Sequence, residues 1–241
     1  MANRISAIIP AYNEGDLVGE TVRATLNIPG VTEVIVVDDG STDDTAENAC
    51  AAGAHRVITL KENRGKGGAL NEACPSAEGD IFLLLDADLG SSAGEADKLL
   101  EPILRGDADM TIAIFGKLPV EASSSSADGS PKLAARSGGF GTVMKVAKFG
   151  IKALTGKRIV APLSGQRALK REIIEKAGGF APRFGVEVAL TIDALRLGYR
   201  IVEVPVAMVH RPSGRDWRGF MHRGRQLLNV MRALSAKAVH R

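Results

Sequence analysis

Five apolar residues, Ile81-Phe82-Leu83-Leu84-Leu85, pass directly into Asp86-Ala87-Asp88 and then Leu89. Bounded by Glu78-Gly79-Asp80 before and Gly90-Ser91-Ser92 after, this run predicts a central β-strand covered on both faces. In an open α/β sheet the ligand crevice lies outside the carboxyl ends of the strands, and two carboxylates one residue apart stand there. Packing does not ask for them, because an unpaired buried carboxylate is costly; a divalent cation with hard oxygen ligands would offset their charge. A solvated turn with two acids fits the same three residues, since D-x-D is short and common.

The stretches before it repeat the pattern. Residues 5–9 form a short apolar run ended by Pro10, so they read as a first strand with Pro10-Ala11-Tyr12-Asn13-Glu14 as its exit loop and a helix over about 16–26. Residues 34–37 read as a second buried strand that also runs into paired acids, Asp38-Asp39. The following Gly40-Ser41-Thr42-Asp43 carries helix-cap chemistry. A weaker third strand over 56–60 is followed by Asn63-Arg64-Gly65-Lys66-Gly67-Gly68, which opens a helix to about residue 73. Strands alternating with helices at this spacing require right-handed crossovers and a mostly parallel sheet, so these loops and Asp86 to Asp88 share one rim. The Gly65 turn lacks the full GxxxxGK[ST] spacing and follows the third strand, which argues against a P-loop NTPase; no GxGxxG follows the first strand, which disfavours a dinucleotide enzyme. Its amides and Lys66 can still face a nucleotide, or form a flexible helix entry with a solvated lysine.

The second half is less regular. A helix near 95–105 and a strand over 110–115 precede residues 121–139, which hold Ser123-Ser124-Ser125-Ser126 and are too polar and small to pack; they read as a lid over a site or as a linker. Residues 140–154 form an amphipathic helix, with Val143, Ala147, Ile151 and Leu154 on one face and Lys145, Lys148 and Lys152 on another. It either packs on the core, lies at anionic lipid or covers an anionic acceptor. After residues 162–169 come a helix over 171–177, a helix opened by Phe184-Gly185-Val186-Glu187 and running to about 197, a strand over 201–209 ending in His210-Arg211, and a basic amphipathic helix over 216–234. One domain is expected, with a nucleotide-binding half at 1–115, a mobile loop at 116–139 and an acceptor half with the basic helix at 140–241.

Composition narrows the partners. A net charge of +3 is too small to imply nucleic-acid binding, although eight Lys/Arg against one acid lie from His210 onward. Cys50 and Cys74 cannot make a disulfide framework or a thiolate metal site, which fits a reducing cytoplasm. No run approaches the roughly 18–20 apolar residues that span a bilayer, and the N-terminus shows no signal-peptide pattern.

Ile9-Pro10-Ala11-Tyr12-Asn13-Glu14, Val37-Asp38-Asp39-Gly40-Ser41-Thr42-Asp43, Asn63-Arg64-Gly65-Lys66-Gly67 and Leu85-Asp86-Ala87-Asp88, in this order and spacing, resemble the family-2 glycosyltransferases of the GT-A fold. Ser164-Gly165-Gln166-Arg167, Phe184-Gly185-Val186-Glu187 and His210-Arg211 resemble two subgroups, the polyprenyl (dolichyl) phosphate sugar synthases and, more closely, the glucosyl- and mannosyl-3-phosphoglycerate synthases. The resemblance implies an α/β fold with a Rossmann-like nucleotide half. It also implies an enzyme that moves a sugar from a UDP- or GDP-sugar to an anionic acceptor, with Mg2+ or Mn2+ on the diphosphate. By the same resemblance, Asp88, Asp86 through a water or ribose contact, and His210 hold the metal. Pro10, Ala11, Tyr12, Glu14 and Asp39 hold the base and ribose, and Lys66 approaches the nucleotide. Arg167 and Arg211 meet the diphosphate or acceptor, because a guanidinium pairs with phosphate oxygens bidentately. A hydroxyl acceptor needs a general base, for which Glu187 and Asp193 are both candidates; an ionised phosphate acceptor needs none. The enzyme is expected in the cytoplasm or peripherally at the inner face of an anionic membrane, and a homodimer is compatible with it. Two other readings use the same crevice: an idle nucleotide-sugar-binding module and a sugar nucleotidyltransferase.

Overall fold

The computed structural model describes residues 3–115, 140–181, 185–209 and 230–237. Strands β1 (Ile5–Ala11), β2 (Val31–Asp38), β3 (Arg56–Thr59), β4 (Ile81–Leu84), β5 (Met110–Phe115), β6 (Arg167–Lys170) and β7 (Ile201–Val206) form one sheet in the order β3-β2-β1-β4-β6-β5-β7. All neighbouring pairs are parallel except those of β6, which runs antiparallel to both β4 and β5. The expected α/β class with a mostly parallel sheet is therefore the observed one, and 81–84 is its central strand.

Alternation along each strand builds two cores, as a period of two requires. Ile5, Ala7 and Ile9 of β1, Val34 and Val36 of β2 and Ile81 and Leu83 of β4 point to one face. There they meet α1 (Gly15–Leu26), the 3-10 stretch Ala87–Ala96 and α4 (Asp97–Leu104). Ile8, Ile35, Val37, Phe82 and Leu84 point to the other, against α3 (Gly65–Ala73), α5 (Phe140–Thr155), α6 (Arg171–Ala177) and α7 (Val186–Arg196). On the first face α1 also packs against α2 (Thr45–Ala51). A sheet buried on both sides explains why its strands read as unbroken apolar runs.

Strand β6 was not expected, since residues 162–169 carried no strand signal. Only Ala168 and Leu169 lie between Arg167 and Lys170, too short a run to show a period, and pairing with β4 and β5 decides the conformation. Being antiparallel, β6 starts where β4 ends: Arg167 pairs with Leu84. The same rim thus receives the exits of β1, β2 and β4, the entry to β6 and the N-termini of α3 and α7. The helix expected near 95–105 starts as a 3-10 stretch kinked at Gly90 (φ +53) and becomes α-helical only at Asp97. The loop expected over 116–139 lies outside the described residues, as does most of the helix expected over 216–234; residues 230–237 are helical.

The opposite end of the inserted strands is tied by Asp109. Its carboxylate accepts Lys170 Nζ at 2.7 Å and the Arg200 backbone N–H at 2.9 Å and Nε at 3.1 Å, joining the starts of β5 and β7 to the end of β6. Burial alone would raise the carboxyl's pKa, but these donors outweigh it and hold it well below the usual carboxylate value. A depressed folded pKa stabilises the fold above the unfolded value of about 3.9 and is lost as pH falls through the folded value. Asp109→Asn is therefore expected to lower the urea midpoint at pH 7 and to flatten the loss of stability below about pH 4. Parallel acid limbs for the two proteins would contradict this.

Candidate active site

The rim loops are fastened to one another before any side chain reaches a ligand. Asn13, in the left-handed region at φ +55, donates its backbone N–H to Ser41 Oγ (2.9 Å) and accepts Thr42 N–H on Oδ1 (2.9 Å). Asparagine tolerates that backbone better than other side chains because of its short polar group. Glu14 N–H donates to Thr45 Oγ1 (2.9 Å) and Gly15 N–H to Asp43 Oδ2 (3.1 Å). Asp39 is almost fully buried: its own N–H bonds to the Ala11 carbonyl (2.8 Å), and its carboxylate accepts Arg64 N–H (2.7 Å) and Gly65 N–H (2.8 Å). That carboxylate caps α3 and so fixes the turn that carries Lys66.

A cavity of about 190 Å³ opens among Pro10, Ala11, Tyr12, Asp39, Asn63, Gly65, Lys66 and Asp86. Pro10, Ala11, Tyr12, Asp39, Lys66 and Asp86 were all expected from the sequence to hold the donor. Glu14 is not in this lining; it stands at the N-terminus of α1.

Below the cavity Lys66 is the centre of a charged cluster. Its Nζ lies 2.5 Å from Asp86 Oδ1 and 3.3 Å from Glu187 Oε1, and Gln166 Nε2 donates to Asp86 Oδ2 at 2.5 Å. Burial would depress the lysine's pKa, but the two carboxylates outweigh it and raise the value, so the ammonium stays charged. Two glycines allow this closeness. Gly67 lets α3 lie against Ala181 and Val186, at the start of α7, and a methyl there would strike the Ala181 carbonyl. Asn71 closes the same joint with two bonds to the Phe180 backbone, at 2.9 and 2.8 Å. A methyl at Gly165 would run into Lys66 Nζ and stand 2.8 Å from Asp86 Oδ2.

Three expected site residues are held by partners within the protein. Arg167, expected to meet the diphosphate or acceptor, is withdrawn from solvent: Nε donates to the Ser164 carbonyl (2.9 Å), one terminal nitrogen to Thr191 Oγ1 (2.8 Å) and the other to the Pro162 carbonyl (3.1 Å). Burial pulls its pKa down to about 10 in spite of Glu187 and Glu203 nearby. Both residues are buried, and adjacent residues of an extended chain face opposite ways, so Gln166, just before β6, reaches Asp86 while Arg167 reaches Thr191 and the Pro162 and Ser164 carbonyls. Asp193, one of two base candidates, is paired with Lys237 Nζ at 2.6 Å. Asp86 accepts from Lys66 on one carboxylate oxygen and from Gln166 on the other.

His210 and Arg211 lie outside the described residues, and among those described no three His, Cys, Asp or Glu side chains cluster as metal ligands. Asp88 offers a hard oxygen donor just beyond β4, in the 3-10 stretch Ala87–Ala96. Ser92 of that stretch accepts the Val209 N–H at 3.1 Å, fastening the residue before His210 to the segment that carries Asp88. The donor set, carboxylate oxygens with an imidazole next in sequence to that tether, fits a divalent ion of the Mg2+ or Mn2+ kind.

The family model described as glycosyl transferase family 2 matches residues 6–178. Glucosyl-3-phosphoglycerate synthase of Mycobacterium tuberculosis is 33% identical over 234 residues, covering 91% of this chain and 70% of that protein. The enzyme of the same name from Mycolicibacterium paratuberculosis is 33% identical over 207 residues, covering 80% of this chain and 61% of the relative, so the chain spans about 60 to 70% of these relatives' length. A crystal structure of the M. tuberculosis enzyme with Mn2+, UDP-glucose and phosphoglyceric acid superposes with a TM-score of 0.75 at 27% identity, covering 98% of this chain and 79% of that one.

Gly165→Ala is expected to force Lys66 and Asp86 apart and to cost about 1–3 kcal/mol of stability, as overpacking does; urea unfolding measures it. Gly94→Ala is the control, since a methyl there meets nothing within 4 Å. Equal losses in the two variants would contradict the packing account.

Proposed function

The chain belongs to glycosyl transferase family 2, and from that premise we propose that it transfers a glucosyl group from UDP-glucose to a phosphoglycerate-type acceptor, with Mg2+ or Mn2+ on the donor's diphosphate. The observation that carries this reading is the Lys66 ammonium, held between Asp86 and Glu187 beneath the cavity that the Pro10 and Asp39 loops line. It is supported by the relatives named above and by the structure solved with both UDP-glucose and phosphoglyceric acid.

In this reading residues 1–115 and 140–241 form one domain, the first part holding the nucleotide and the second the acceptor, with 116–139 as a loop over the site. Pro10, Ala11, Tyr12 and Asp39 take the uridine and ribose, with Glu14 behind them at the start of α1. Asp88 and His210 would hold the metal, with Asp86 acting through a water or the ribose. Bound there, the ion supplies charge neutralisation to the departing diphosphate. Lys66 turns from its carboxylates to the diphosphate and adds a second positive charge, and Arg211 meets the diphosphate or the acceptor's anionic groups. Asp88 and Lys66 therefore act on the leaving group. Glu187 receives the proton of the acceptor hydroxyl once Lys66 has turned away; it enters from the first turn of α7 beside Lys66, which lines the cavity, whereas Asp193 is paired with Lys237 of the C-terminal helix.

No helix among the described residues is long and apolar enough to cross a membrane, and we place the enzyme in the cytoplasm. One observation favours a second acceptor, a polyprenyl phosphate reached from the inner membrane face. On α5, Lys145, Lys148 and Lys152 are exposed around Phe149, which is 74% exposed.

UDP release from UDP-glucose with 3-phosphoglycerate and Mn2+ tests the proposal, with GDP-mannose and a short polyprenyl phosphate as parallel donor and acceptor. We expect turnover with the first pair, its loss on chelation and in Asp88→Ala, and a fall in kcat of about 10²–10⁴ in Glu187→Gln with UDP affinity kept. Donor binding without turnover on any acceptor would make the chain an idle sensor. Turnover that survives chelation would overturn the metal's part.

A further inference from the structure

Burying a guanidinium takes a charged group out of water, and among the described residues Arg167 is the largest side chain with no appreciable exposure. It donates to two carbonyls and a hydroxyl, acceptors that give back less than a bidentate carboxylate does. An apolar side chain of similar length would fill the space without the desolvation. Its position gives the charge a use. The Pro162 and Ser164 carbonyls belong to the loop that ends in Gly165 and Gln166, and the start of that loop is held by Glu203, whose carboxylate accepts Val160 N–H (2.8 Å) and Ala161 N–H (2.6 Å). Thr191 Oγ1, which accepts from Arg167, donates in turn to the Glu187 carbonyl at 2.7 Å. One buried cation is therefore bonded to the loop that delivers Gln166 to Asp86 and, through one hydroxyl, to the helical turn that delivers Glu187 to Lys66.

We propose that Arg167 and Thr191 are positioning residues for the transfer step, a buried relay that sets Gln166 against Asp86 and Glu187 against Lys66. The inference rests on the glucosyl-transfer reading above. It concerns placement and not contact: Arg167 touches neither the cavity nor, in this account, any substrate atom. Closure of the site around a ligand would otherwise have to order a loop and a helix start separately, and the relay makes them one unit. A misplacement of about 1 Å at a reacting group costs on the order of a hundredfold in rate. Loss of the relay should therefore appear in kcat and spare donor binding, whose loops are held by Asn13, Asp39 and Asp43 instead.

Thr191→Val, Arg167→Met and Arg167→Lys, with Glu187→Gln alone and combined with Thr191→Val, form the test. Each purified variant is compared with wild type by circular dichroism, UDP affinity by calorimetry, and kcat and KM for donor and acceptor. Thr191→Val and Arg167→Met are expected to lower kcat at least tenfold, within the loss that misplacement produces, with UDP affinity within twofold; Arg167→Lys restores part of the rate by keeping a donor in place. In the Glu187→Gln background Thr191→Val should cost less than twofold, because two residues acting through one group are not additive. Unchanged kcat in both Thr191→Val and Arg167→Met overturns the relay, as does a parallel loss of UDP binding in both, which marks a merely structural role. A fully active Glu187→Gln with a slow Thr191→Val would overturn the base assignment and retain the relay through Gln166. Absence of turnover in the wild type on every donor would instead overturn the reading beneath it.

Discussion

The rim of this sheet closes around a single ammonium. Asp86 comes from the end of the central strand and Glu187 from a helix more than a hundred residues later, and without a shared cation the two carboxylates would repel one another. Lys66 removes that conflict. Much of the neighbouring architecture serves to place it: Asp39 caps the helix that carries it, Gly67 admits the helix to the Ala181 backbone, and Gly165 leaves its amine room. In the proposed reaction the same arrangement makes the cation available to the donor's diphosphate, which can offer it more negative oxygen than either carboxylate.

The sheet explains why chemistry collects at one edge. Parallel strands from the first half all exit there, and inserting one antiparallel strand between β4 and β5 turns the entry of β6 toward the same edge. Loops from sequence-distant parts of the chain thereby share one rim. The far edge, with Asp109 between Lys170 and Arg200, is given over to holding the inserted strands in register.

How legible this was depended on how local the signal was. Residues 5–9, 34–37 and 81–84 are buried on both faces, so their apolar runs announced strands, and the acids after them announced the rim. The helix over 171–177 and the strand over 110–115 were equally plain. β6 was not, because four residues with charges at both ends have no period, and only its two partners make it a strand. Arg167 was misread for a related reason: charge suggested a ligand contact, yet its guanidinium is spent on Thr191 and two loop carbonyls while Gln166, on the opposite side, reaches Asp86. A register argument, counting back from the apolar Ala168 and Leu169, would have favoured Gln166 only had the strand itself been seen. Asp39 shows a third limit, since an acid that lines a cavity and an acid that caps a helix look alike in sequence, and this one does both.

The cross-links between the first two rim loops bear on how a nucleotide would be received. Asn13 joins Ser41 and Thr42, Glu14 joins Thr45, and Gly15 joins Asp43, so the wall that faces a base is assembled from two chain segments that cannot drift apart independently. A ligand entering there meets a surface already set in shape, and little of its binding free energy is consumed in arranging the receptor. In the proposed reaction, affinity for the nucleotide end would then be a property of the resting molecule, leaving the remaining interactions of the sugar and acceptor to be expressed in the rate.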